Sequence, residues 1–439
     1  MSCATAPRPQ SLAERVGTIT NTPSLAGAIW GIDVVDDNGK VIYARNESTL
    51  LTPASNRKLF AAAAVASCQG LDRRIASELW RDGNDVILRG GGDPSLGGRW
   101  AFDRDAVFAP FVTALRERGV NEVGNVIADV SLFDRTTIPG SWKVGNLGSD
   151  YAAPVDALAY NENVIGVVAD HCGSPVIVTD PAFVPTSGAI VCGPDNLFVR
   201  SGNTNAITIS GTMPEHVQLL TGIGDPALYA AQALADGLRH AGIAVHGQAI
   251  VNTLPRTWSE RLAVIESPPL WQLLSVVLKP SQNLYAEMLF KGLSADGVQP
   301  ASYDVSEAIE RRFLTTEVGI NGADFRFADG CGLSPDDLVA PRAIVTLLRW
   351  MDDPVRRGVW SMLMARPGEE GTLRRRLLPF AGRMRGKTGT INGVNALSGI
   401  IDGPNGTHRY FSIIINHHTA DSSDALHAID AVVAAISAW

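Results

Sequence analysis

Ser55 and Lys58 stand three positions apart in Thr52-Pro53-Ala54-Ser55-Asn56-Arg57-Lys58-Leu59-Phe60, which runs directly into Ala61-Ala62-Ala63-Ala64-Val65-Ala66. Alanine is the best helix former, and the run lasts until Gly70, a helix stop. The segment is predicted to be a helix entered at Pro53 and Ser55. A spacing of three puts both side chains on one helical face, about one turn apart. A hydroxyl beside an amine can serve as a nucleophile with its base. The amine must shed its proton to do so, and partial burial beside a second cation would lower its pKa. Taken alone, the pair reads more plainly as a capping serine and a solvated lysine.

Two further polar groups change that balance. Ser281-Gln282-Asn283 falls in the elbow between two predicted helices, residues 269–278 and 284–293, broken at Lys279-Pro280. Short polar side chains in such an elbow can face a cleft. The same S-x-N pattern recurs at Ser201-Gly202-Asn203, but inside a β-rich stretch. Gly386-Lys387-Thr388-Gly389-Thr390 opens a β-rich tail. S-x-x-K and K-T-G each occur once in the chain. Their order, Ser-Lys, then Ser-Asn, then Lys-Thr-Gly, matches the active-site serine acyl-transferases that react with penicillin.

The elements that must position these groups come from both ends of the chain. A helix followed by a Pro turn over 11–24 leads to a strand over 27–35, a turn at Asp36-Asp37-Asn38-Gly39 and a returning strand over 40–44. From 71 to 260 the texture changes to short apolar runs broken by Gly, Pro, Asn and Asp. Strands are predicted at 85–89 and 125–129, helices at 108–119 and 225–242, and β-rich sequence from 164 to 213. Gly90-Gly91-Gly92-Asp93-Pro94 reads as a turn, because Pro94 sits where a phosphate-binding helix would begin. After 263 helices return, at 306–318 and 342–351, then strands at 396–401 and 410–416 and a closing helix at 424–438. The two ends can form one sheet with helices on its faces, and the middle is an insertion.

Bulk properties set limits. A length of 439 residues suits two or three domains, and 45% apolar with 19% charged residues describes a folded globular chain. A net charge of −8 and a pI near 5.5 argue against nucleic acid as a partner. Arg374-Arg375-Arg376 is a local basic patch, either a solvated face or ligand-facing. No apolar run reaches the roughly 18 to 20 residues of a membrane span. The start, Met1-Ser2-Cys3, shows no secretion signal; Cys3 leaves a lipid anchor open. The five cysteines include no CxxC pair, and His417-His418 lacks zinc spacing, so neither a metal nor a cofactor is expected. Cys172 and Cys192 bracket a strand-like segment and are candidates for a disulfide. No G-x-S-x-G is present, which argues against an α/β-hydrolase, and Trp142 reads as packing.

The whole chain resembles the class C low-molecular-mass penicillin-binding proteins, the D-alanyl-D-alanine carboxypeptidase/endopeptidase family. Pro53 to Leu59 is similar to its nucleophile box, and the long gap from Ser55 to Ser281 leaves room for its large insertion. Gly90 to Pro94, Asp329-Gly330-Cys331-Gly332-Leu333-Ser334, and Gly371-Thr372-Leu373 with Arg376 are similar to accessory motifs, and Gly386 to Thr390 to the third box. The resemblance implies an α+β fold: a penicillin-recognising transpeptidase/β-lactamase-like domain, an antiparallel sheet flanked by helices, with two inserted β-rich subdomains. The expected division is 1–70 with 262–439 for the peptidase, 71–163 with 225–261 for one insertion and 164–224 for the other. It implies Ser55 as nucleophile, Lys58 as base, Ser281 as proton relay supported by Lys387, and Asn283 on the substrate amide. Thr388 would take the terminal carboxylate, and the N–H groups of Ser55 and Thr390 the oxyanion. Gly389 would leave room for the substrate along the strand. Implied partners are peptidoglycan peptides ending in D-Ala-D-Ala and β-lactam inhibitors. The implied location is periplasmic or extracytoplasmic, with peripheral membrane association left open. A serine β-lactamase and a non-catalytic peptidoglycan-binding scaffold are the alternatives.

Four positions depart from the family pattern. Gln282 replaces a common Asp, Cys331 a common Ser, and Pro335 an Arg found in many members. Asn146 falls where several members carry an acid. Altered or relaxed recognition of the peptide's third residue is expected.

Overall fold

A computed structural model describes residues 10–101, 103–169, 177–180, 182–194, 196–201, 205–213, 217–403 and 406–439. They fall into two compact units. The first takes in the chain up to Ala64, Ser275–Ser281 and Glu310–Trp439; the second takes in Val65–Leu274 and Gln282–Ile309.

The first unit is built on a five-stranded sheet in the order Met384–Ile391, Val394–Asp402, His408–Asn416, Ile29–Asp36, Val41–Arg45. Every neighbouring pair is antiparallel. The three inner strands are buried almost throughout, which is why their sequences are near-continuous apolar runs rather than alternating ones. On one face Trp30, Ile32, Val34, Leu397, Phe411, Ile413 and Ile415 pack with Leu12 and Val16 of helix Leu12–Thr20 and Ile429, Val432 and Ile436 of helix Ser422–Ser437. Ser11 and Glu14 form a reciprocal capping box that starts the first of these helices. Helix Pro341–Met351 packs against strands Ile29–Asp36 and His408–Asn416. Strand Met384–Ile391 is at the sheet edge. Its outer side bridges only Ala365, at Gly386, among the described residues, which leaves Lys387 onward open.

The second unit holds a mixed five-stranded sheet: Ala249–Asn252, Val126–Asp129, Asp85–Arg89, Ala76–Asp82, Glu260–Glu266. The first two pairings are parallel and the last two antiparallel. Helix Pro226–His240, capped by Asp225, packs on Val126–Asp129 and Ala249–Asn252. Two three-stranded sheets follow the β-rich stretch. One is Asn196–Ser201, Ile207–Met213, Thr186–Cys192; the other is Val217–Gly222, Val164–Ala169, Ile177–Asp180. The expected pairing of Cys172 with Cys192 turns on Cys172, which lies outside the described residues, as do Cys3 and the Gly202-Asn203 part of the second S-x-N.

Two local expectations are corrected. The helix after Pro53 does not include Ser55: a single 3-10 turn spans Ala54–Asn56 and the α-helix starts at Arg57, ending at Gln69 before Gly70 in the left-handed region. The second elbow helix begins at Asn283 rather than after it, so Asn283 lies inside the helix, Gln282 caps it, and Ser281, with φ +68°, makes the turn.

Candidate active site

The site in the first unit is assembled from the Ser55 turn, the Ser281 elbow, the Asp329–Ser334 loop and the edge strand. Ala54 is held at φ +47°, which turns the chain sharply just before the hydroxyl. Ser55 lies inside the 3-10 turn, whose N-cap position is Pro53. Its Oγ accepts from Lys58 Nζ at 2.8 Å. Ser55 is half-buried, whereas Lys58 is fully buried. Lys58 Nζ also donates to the Cys331 carbonyl at 2.7 Å.

The loop that supplies that carbonyl is organised by Asp329. Its carboxylate accepts from the N–H groups of Cys331, Gly332 and Ser334 at 3.0, 2.7 and 2.7 Å. Gly332, at φ +88°, allows the loop to touch the Ser55 turn: a Cβ there would lie 2.0 Å from the Ala54 carbonyl oxygen. Cys331 thus meets Lys58 through its backbone carbonyl, while its Sγ lies 3.8 Å from Asp329 Oδ2. Arg57 ties the same pieces together from below. Its Nε donates to the Asp329 carbonyl at 2.8 Å, its two terminal nitrogens grip Glu310 at 2.6 and 2.7 Å, and the guanidinium stacks 3.9 Å from the Phe327 ring centroid. This buried bidentate pair was not legible in the sequence.

The edge strand brings the third box to the Ser55 turn. Lys387 is fully buried, and its Nζ donates to Ser281 Oγ at 2.7 Å and to the Thr388 carbonyl at 2.9 Å. Burial pushes the Lys387 ammonium well below the usual lysine range, and the nearby charge of Lys58 pushes it further. Gly389 is the point of closest approach: a Cβ there would lie 2.8 Å from the Pro53 carbonyl oxygen and 3.0 Å from the Ser55 backbone nitrogen. Any side chain at 389 would push the strand off the Ser55 turn. The Gly386 N–H points outward to Ala365. Because backbone groups alternate along an antiparallel strand, those of Thr388 and Thr390 point to the same open edge. Thr390 is exposed, and its Oγ1 accepts from Asn395 at 3.0 Å. Thr388 Oγ1 lies 2.8 Å from Thr372 Oγ1, a residue that sequence reasoning placed only in an accessory motif.

The sequence matches a known family along nearly its whole length. The chain corresponds to the D-Ala-D-Ala carboxypeptidase 3 (S13) family over residues 12–436. It belongs to that family. Over an alignment 467 positions long it is 30% identical to the D-alanyl-D-alanine carboxypeptidase of Actinomadura sp. (strain R39), covering 98% of this chain and 85% of that one. It is 25% identical over 406 residues to the D-alanyl-D-alanine carboxypeptidase DacB of Haemophilus influenzae, covering 87% and 84%. Among solved structures it is similar to penicillin binding protein 4 (dacB) from Haemophilus influenzae, at a TM-score of 0.86 and 22% identity over 97% of this chain and 99% of that one. At that identity the likeness speaks for the S13 fold alone.

The remaining sequence-predicted residues lie in the second unit. Asn283 heads its helix, and its Nδ2 donates to the Tyr151 carbonyl at 2.7 Å. Gln282, the departure in the second box, caps that helix by accepting from Leu284 N–H at 2.6 Å, and its Nε2 donates to Glu162 at 2.6 Å. Its amide thus does the turn-supporting work expected of a carboxylate. Asn146 Oδ1 accepts from the Tyr151 hydroxyl at 3.5 Å, and Trp142 is buried. In the first unit, both His418 ring nitrogens are engaged, with Asn395 at 2.8 Å and the Ala420 carbonyl at 3.2 Å. No helix of the described residues is long and apolar enough to cross a membrane.

Proposed function

We propose that this S13 protein is a serine D-alanyl-D-alanine carboxypeptidase/endopeptidase of peptidoglycan peptides, acting outside the cytoplasm through an acyl-enzyme. One observation carries the reading: a half-buried hydroxyl touches one buried lysine, while a second buried lysine holds Ser281 beside an open strand edge. The substrate adds as a strand along Lys387 to Thr390, as an extended peptide does on any free sheet edge. Ser55 Oγ attacks the carbonyl carbon of the penultimate D-alanine and its proton passes to Lys58 Nζ. Burial, and then the nearby charge of Lys58, hold the Lys387 ammonium well below the usual lysine range. The N–H groups of Ser55 and Thr390 stabilise the oxyanion. Ser281 passes a proton to the leaving amine as the C–N bond breaks, with Lys387 holding the relay. Asn283 binds the substrate amide and Thr388 the terminal carboxylate. Water then cleaves the ester at Ser55, returning the hydroxyl and releasing the shortened peptide. A β-lactam opens its ring onto the same oxygen, and its amine stays tethered where water would enter.

The test is D-alanine release from a peptide ending in D-Ala-D-Ala, alongside cleavage of a cross-linked muropeptide dimer. Wild type is expected to act on at least one. Lys58→Met is expected to slow acylation by about 10² to 10⁴, the usual worth of a positioned base. A wild type inert on both would overturn the reading.

A further inference from the structure

The loop at Gly371-Thr372-Leu373 is pinned at several points. Gly371 sits at φ +128°, and a Cβ there would meet the Lys279 carbonyl oxygen at 2.9 Å. The Thr372 N–H donates to that same carbonyl at 3.0 Å. Leu373 is fully buried in the core under the sheet. Arg376 closes the loop with a fork onto Asp430, at 2.6 and 3.2 Å. Lys279 precedes Ser281 by two residues, so one loop braces the elbow and also fixes the Thr372 hydroxyl 2.8 Å from that of Thr388. A loop needing only to fill space has no reason to present a hydroxyl there.

A threonine hydroxyl has one proton to give and two lone pairs, so the pair alone uses one proton between them. A carboxylate is acceptor-only and offers two oxygens, so it can draw a proton from each hydroxyl at once. Neutral donors suit this position. The Arg376 guanidinium is committed to Asp430 and that of Arg385 to Asp352, while Arg374 and Arg375 are exposed and screened. Thr388 is nearly buried and Thr372 half-buried, so hydrogen bonds to a charge count for more here than in water.

We propose that Thr372 is a specificity-determining residue, the second hydroxyl of a two-threonine clamp with Thr388 that selects substrates ending in a free carboxylate. The proposal rests on the D,D-peptidase reading, with Thr388 at the substrate terminus. The clamp favours chain ends over internal bonds whose equivalent position carries an amide.

Steady-state kinetics on two peptides test it: one ending in D-Ala-D-Ala with a free carboxylate, and the same peptide with a C-terminal carboxamide. Wild type is expected to favour the free acid by tenfold or more in kcat/KM. Thr372→Val keeps the volume and removes the hydroxyl. It is expected to lose about tenfold or more on the acid, mostly in KM, and less than threefold on the amide. Thr372→Ser is expected to stay within threefold of wild type on both. Thr372→Ala gives the same readout if the valine variant does not fold. Equal losses on both peptides would make Thr372 structural only and overturn the clamp, as would no loss on either. A wild type that cleaves neither peptide and takes up no penicillin would instead overturn the peptidase reading beneath it.

Discussion

Lys387 Nζ lies 2.7 Å from Ser281 Oγ, across 106 positions of chain. That contact joins the second and third boxes, and Gly389, two residues on, joins the third to the first through the Ser55 backbone. Both junctions are tight. The site therefore depends on backbone approach as much as on the identity of its side chains.

Gly332 gives that dependence a test away from the reacting groups. Alanine at 332 would be strained by φ +88° and would place a Cβ 2.0 Å from the Ala54 carbonyl oxygen, with the Arg57 side chain 3.0 Å away. The Ser55 turn would have to move. Gly332→Ala is expected to destabilise the fold by about 3 kcal/mol or more and to slow penicillin acylation at least tenfold. Denaturant unfolding and a stopped acylation assay measure the two. Wild-type rates with unchanged stability would show the close approach to be dispensable.

Asp93 offers a pH signature in the second unit. Burial raises its carboxyl to about 6, against which the hydrogen bonds from the Ser95 hydroxyl and N–H act in the lowering direction. In the unfolded chain the group ionises near the ordinary aspartate value of about 3.9. Below that value it is neutral in both states and has no effect. As pH rises from there to about 6 the unfolded chain ionises first, so stability falls, and above 6 the full cost is present. Asp93→Asn keeps an acceptor for Ser95 without the charge. Its melting temperature is expected to exceed wild type by a few degrees at pH 7.5, with the gap closing near pH 4. An equal gap at both pH values would remove ionisation as the cause.

Much of this architecture was legible in the residues. The strand Asp85–Arg89 and the helix Pro226–His240 were readable because clear turn and capping residues bound them. The contact of Lys58 with Ser55 followed from spacing. The contact of Lys387 with Ser281 did not: no periodicity links residues so far apart, and only the order of the three boxes suggested it. Alanine-rich propensity extended the helix back through Ser55, but tertiary approach by the Gly389 strand and the Gly332 loop accompanies a 3-10 turn there instead. Strands Ala76–Asp82 and Glu260–Glu266 went unread because charged residues on their partly exposed faces break the apolar pattern. The Arg57–Glu310 pair and the Thr372–Thr388 pair were hidden for the same reason as the Lys387 contact: each joins side chains that only the fold brings together.

The central claim is that Ser55 is acylated at a cleft completed by Lys58, Ser281 and the Lys387 strand. Intact mass spectrometry after incubation with benzylpenicillin tests it most directly, on wild type and on Ser55→Ala. One added penicillin on the wild type and none on the variant is the predicted result. An unmodified wild type, or an adduct that persists on Ser55→Ala, would contradict it.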